Sequence, residues 1–163
     1  MNYQEFIDIL KKQVLALTDK RKLEFALVVC KKLYFDYQKF YDIEKWGDPE
    51  LLMDAIRMCE HRANTVADKA KYEAMKNRVE TITPDTNDFG TCDGSYALNA
   101  CASLLHTIDF ILNNDPIEIL SVGIAYYDTW DFKVQEDNAL NEQQIDQHPL
   151  MIEAKRFLLE QTK

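Results

Sequence analysis

His106 and Asp109 stand three residues apart, and so do Asp128 and Asp131 further along the chain. On a helix, side chains three apart share a face. Two such faces side by side would make a carboxylate–imidazole metal site between neighbouring helices. The di-metal bundle pattern, Glu-x-x-His repeated on two helices, is absent. His106 is therefore read as the edge of an apolar face, holding one hydrogen bond. His61 follows Glu60 directly, and adjacent helical residues point about 100° apart, so that pair does not ligate together. His148 precedes Pro149 and reads as an exposed helix-entry residue.

Nucleophiles are equally unsupported. Ser95, Ser103 and Ser121 lie outside any G-x-S-x-G elbow. The glycines form no phosphate loop, and Gly90 and Gly94 punctuate a loop around Thr91-Cys92-Asp93. Cys30, Cys59 and Cys101 fall inside apolar helical patterns and read as small buried thiols. Cys92, in a polar stretch, is the accessible one. No C-x-x-C pair and no disulfide framework is expected. No catalytic residue, metal ligand or cofactor is assigned.

Charge is more informative. The 163 residues carry 19 Lys and Arg against 28 Asp and Glu, a net charge of −9. That sign disfavours direct contact with nucleic acid or an anionic membrane. The acids are segregated: residues 85–153 contain one basic residue, Lys133. Such a block predicts a negative face suited to a basic protein partner. The expected contacts are Asp85, Asp88, Asp93, Asp109, Asp115, Glu118, Asp128, Asp131, Glu136 and Asp137, with Tyr126 and Trp130; some of Tyr126, Trp130 and Phe132 are expected to be partly exposed beside Asp128 and Asp131.

The elements that must position these residues are helical. Phe6, Ile9, Leu10, Val14 and Leu17 keep the spacing of one helix face. Asp19 is placed to cap a second helix, whose run Phe25 to Cys30 is apolar all round and predicts a central, buried position. Asp48-Pro49 and Asp115-Pro116 are cap-plus-proline starts. The helix after Asp48 is expected to continue through Ala63, Val66 and Ala67, with a break near Asn64-Thr65. Residues 84–94 predict a long loop, with Gly94 or Ser95 opening the next helix. Residues 135–147 form a polar connecting segment before a C-terminal helix opened by Pro149. The expected fold is all-α, one domain over residues 1–163, with about seven helices. No apolar run approaches the roughly 20 residues of a membrane span, and no secretory signal opens the chain, so a soluble cytoplasmic protein is expected.

Several blocks carry a family resemblance. Residues 25–34 (FALVVCKKLY), then Tyr37, Phe40 and Trp46-Gly47-Asp48, resemble the opening block of the bacterial YjaG-like family, domain of unknown function 416. Pro84, Asp85, Asp88, Phe89, Tyr96-Ala97, Ala100-Cys101 and Leu104 match a later block, as does the helix around Ala125 and Thr129. Coverage runs over roughly residues 20–135, leaving the last helix as a feature of this member. The family often has Arg near Lys31-Lys32, Pro at Phe35 and Asp at Asn99. The resemblance implies a small helical cytosolic domain and brings no catalytic residues.

In type, small acidic helical bacterial proteins also resemble immunity proteins that neutralise secreted toxins. The chain is accordingly read as a non-enzymatic binding module, an immunity protein that occludes the active site of a basic toxin nuclease. The alternatives are a housekeeping scaffold or homodimer, and a metal-dependent enzyme built on His106, Asp109, Asp128 and Asp131.

Overall fold

The computed structural model describes residues 1–62 and 68–163. Among them are eight α-helices: α1 (Tyr3–Ala16), α2 (Asp19–Glu44), α3 (Pro49–His61), α4 (Lys69–Thr81), α5 (Cys92–Asn113), α6 (Pro116–Gln135), α7 (Glu142–Gln147) and α8 (Pro149–Gln161). A 3₁₀ turn spans Thr86–Asp88, and no strand occurs among the described residues. The eighth helix is α7, inside the segment expected to be a polar connection. Asn141 and Gln144 cap it reciprocally, which lets six residues hold a helix against α8. Ala63 to Ala67, including the expected break at Asn64-Thr65, lie outside the described residues.

Helix starts follow local chemistry, with three corrections. Asp48 and Asp115 accept from the Leu51 and Ile117 amides at 3.0 and 2.9 Å, each ahead of a first-turn proline. Thr18, not Asp19, caps α2, accepting from the Arg21 amide at 3.3 Å, so Asp19 becomes the first helical residue. Helix α5 opens at Cys92 rather than at Gly94 or Ser95, and Thr91 precedes it without a side-chain cap. Gly94 is helical and buried against Phe89, and its lack of a side chain lets the two chain segments approach. His148 is half-buried rather than exposed, because its Nδ1 accepts from the Leu150 amide at 3.3 Å and caps α8.

Helices α2, α5 and α6 make the centre. Asn114 and Asp115 alone join α5 to α6, so the two must run antiparallel side by side. Phe25, Leu33, Leu104, Ile108 and Ile119 fill the space between them and are buried. Helices α3 and α4 cover one side of the centre, and α1 and α8 cover α6. No described helix is long and apolar enough to cross a membrane.

Candidate functional site

The acids of residues 85–153 are continuous in sequence and divided in space. At one end of the α5–α6 pair, Asp109 binds Lys76 of α4 at 2.8 Å, Glu118 binds His106 Nδ1 at 2.6 Å, and Asp115 caps α6. Toward the opposite end, Asp93 meets Lys39 at 3.5 Å and Glu136 accepts from the Tyr96 hydroxyl at 3.0 Å. Asp85 caps the 3₁₀ turn containing Asp88, and both are exposed, as is Asp137 just beyond α6. Asp128 and Asp131 lie apart from all of these.

The tetrad His106, Asp109, Asp128 and Asp131 is therefore not assembled. His106 sits beside Glu118, and Asp128 is ten residues further along α6, about 15 Å. Among the described residues no three His, Cys, Asp or Glu side chains group closely enough to hold a metal ion. His106 makes the single expected hydrogen bond. The thiols of Cys30, Cys59 and Cys101 are buried, and burial pushes Cys101 up to about 12, far from a reactive thiolate. Cys92 is exposed at the first turn of α5. Asn99, where the family often has Asp, donates to the Thr129 hydroxyl at 3.1 Å.

The aromatics also divide. Tyr126 is 6% exposed, not a surface residue, because its ring packs on Phe157 of α8 at 5.0 Å and on Trp130 at 6.3 Å. Trp130 is half-buried beneath the Lys133 ammonium, and Phe132 is the exposed member of the group.

Asp128 and Asp131 instead line a cleft of about 510 Å³ between the start of α1, the C-terminal half of α6, and α7. Its walls are Asn2, Tyr3 and Gln4, then Tyr127, Asp128 and Asp131, then Glu142, Ile145 and Asp146. Four carboxylates face this space. Among the described residues Asp146 alone of the four pairs with a cation, Lys155 of α8, at 2.6 Å. Asp131 accepts from Gln135 at 2.9 Å. The Tyr3 and Tyr127 rings meet at 5.0 Å.

Tyr127 is 5% exposed, and its hydroxyl, which makes no hydrogen bond among the described residues, is reached by solvent. Burial, then Asp131, Asp146, Tyr3 and Asp128 in turn, hold its phenol above the ordinary range, so it stays protonated. Burial, then Asp131, raises the Asp128 carboxyl above the ordinary carboxylate range.

That elevation has a stability consequence. A carboxyl whose folded-state pKa is raised favours folding when protonated and opposes it once ionised. The groups facing it are Asp131, Tyr3, Tyr127, Glu142 and Asp146. Asp128→Asn should raise Tm by about 2 °C at pH 7. The gain should shrink as pH falls through the elevated Asp128 pKa, where the wild-type carboxyl is already neutral. Thermal melts from pH 4 to 8 check this, and a gain independent of pH would contradict it.

The family model described as a protein of unknown function, DUF416, matches residues 9–162. The chain belongs to the DUF416 family. The match reaches beyond the expected 20–135, so α8 is within the family region rather than particular to this member. A crystal structure of a DUF416 family protein from Shewanella baltica is similar to it, with a TM-score of 0.83 at 23% identity. The similarity covers 93% of this chain and 83% of that one, and at this identity it shows a common DUF416 fold. No curated protein matches the chain.

The cleft residues Tyr3, Tyr127, Glu142 and Asp146 are not among the contacts expected from sequence. Glu142 and Asp146 belong to the acidic block, but only the position of α7 brings them opposite Asp128 and Asp131.

Proposed function

We propose that this DUF416 chain is a protein-binding module for a basic partner, with the α1–α6–α7 cleft receiving a cationic group of that partner. The observation that carries the reading is the cleft's composition: four carboxylates, one of them paired with a lysine, beside two tyrosine rings. Concentrated negative charge accelerates encounter with a cationic surface and rejects anionic ones. Its concrete form is neutralisation of a basic bacterial toxin. A nuclease needs a positive cleft for nucleic acid, and an acidic protein can occupy it.

The test is capture from a bacterial lysate at low and high salt. The retained protein is then purified and rebound to wild type and to Asp128→Asn/Asp131→Asn. A basic partner is expected to lose at least about tenfold in affinity for the double variant. Equal binding to both would remove the cleft as the site. Recovery of only a second copy of this chain would favour the homo-oligomer. Phe35 gives that alternative a specific footing: it is 68% exposed on α2 beside Leu33 and Trp130.

A further inference from the structure

We propose that the outer face of α2 around Phe35 is a docking surface for an acidic segment of another protein, one that carries a large apolar anchor residue. This surface is separate from the α1–α6–α7 cleft, and the inference does not rest on the reading of that cleft. Phe35 is more exposed than any other large apolar side chain among the described residues. A single exposed apolar residue is ordinary on a protein surface. Phe35 differs because it also lines a groove of about 290 Å³ between α2 and α6, with Leu33, Tyr126 and Trp130. A groove beside a solvated ring has room for one large apolar side chain, the usual anchor of an interface.

Charge identifies the partner. Val28, Lys32, Phe35 and Lys39 follow one another at steps of four, three and four residues, so they share the exposed face of α2. Asp36, also in the groove, is drawn onto Lys133 at 2.7 Å. Lys32 lies 4.6 Å from the Phe157 ring centre and has no carboxylate partner among the described residues. Lys31 pairs with Glu60 of α3, and Lys39 with Asp93 at the start of α5. In both pairs the lysine is the outer member. The Lys39 side chain is 67% exposed and that of Asp93 16%, and Lys31 likewise stands further out than Glu60. Exposed ion pairs contribute little, so an incoming carboxylate competes for these ammonium groups at small cost.

A protein of net charge −9 thus presents lysines around its most exposed aromatic ring. Such a surface attracts carboxylates and rejects cations. A second copy of this chain fits it less well. Pairing two Phe35 faces about a two-fold axis would set Lys31, Lys32 and Lys39 of both copies against one another.

The experiment selects displayed random peptides on the immobilised full chain at low salt, with Phe35→Ser as the counter-target. Phe35 is exposed, so this variant should keep the wild-type circular dichroism and Tm. Enriched peptides should share Asp or Glu around a Phe, Trp or Leu, and should bind Phe35→Ser at least about tenfold more weakly. Lys32→Glu should weaken the same peptides about fivefold, and added salt should weaken them further. In NMR spectra of the full chain, the bound peptide should shift the Trp130 indole signal and leave that of Trp46 in place.

Failure to enrich any Phe35-dependent peptide would overturn the proposal. So would Phe35-dependent peptides without acidic residues. A wild-type dimer that Phe35→Ser dissociates would assign the surface to a second copy and overturn it as well. None of these results bears on the cleft, which Asp128→Asn/Asp131→Asn tests separately.

Discussion

Lys155→Met should destabilise the protein by about 3 kcal/mol, lowering Tm by about 9 °C. The Lys155 side chain is 3% exposed, and its partner Asp146 is 19% exposed. Removing the ammonium leaves a half-buried carboxylate and the Met1 carbonyl without their donor. An uncompensated buried charge costs more than a well-made pair contributes. Lys155→Met/Asp146→Leu should therefore recover much of the loss, because no lone charge remains. Urea denaturation of the single and double variants measures both values. A cost below about 1 kcal/mol for Lys155→Met would mean that the bridge does not anchor this region.

The bridge also matters to the cleft. Helix α7 has six residues and cannot persist alone. It is held by packing on α8 and by Asp146 on Lys155. In Lys155→Met, amide exchange of residues 142–147 should accelerate before that of α5. The cleft would lose the wall that carries Glu142 and Asp146.

Gly47→Ala should cost about 3 kcal/mol, for two separable reasons. Gly47 has φ +97°, a conformation that side chains rarely adopt, and an added Cβ would overlap the Tyr37 hydroxyl. Tyr37 is fully buried. Its hydroxyl donates to the Ile82 carbonyl at 2.7 Å and accepts from the Asp48 amide at 3.2 Å. One phenol thus ties α2 to the start of α3 and the end of α4. Tyr37→Phe alone should cost about 2 kcal/mol, by leaving those two backbone groups unpaired. In that background Gly47→Ala should cost only about 1 kcal/mol, mainly backbone strain, because the worst overlap is gone and only the tight approach to the ring carbon Cζ, at 3.1 Å, is left. A full cost in both backgrounds would show that strain, not the hydroxyl, makes glycine necessary. The Trp46-Gly47-Asp48 block behind the family resemblance therefore has a structural reason at Gly47.

Helix starts were readable because capping is local. Asp48-Pro49, Asp115-Pro116 and Pro149 each act within one turn, and each opens a helix where expected. Where the local signal was shared, it misled: Thr18 and Asp19 can each cap, and the one with the extended backbone took the role. Tyr126 was misplaced for a different reason. Its position on α6 was readable, but whether α8 would cover that side was not, and Phe157 of α8 buries it.

Sequence alone determined the helical class, the buried course of α2 and the family. Those follow from periodicity, caps and residue blocks, all of which act along the chain. Tertiary structure alone decided how the acidic block is distributed. Asp109 meets Lys76 thirty-three positions away, and Asp36 meets Lys133 across ninety-seven. Asp128 and Asp131 are left facing α7 and the first residues of the chain. Charge counted along a sequence ignores such pairing. Coulomb energy depends on separation in space, and only the packing of α1, α6, α7 and α8 sets that separation.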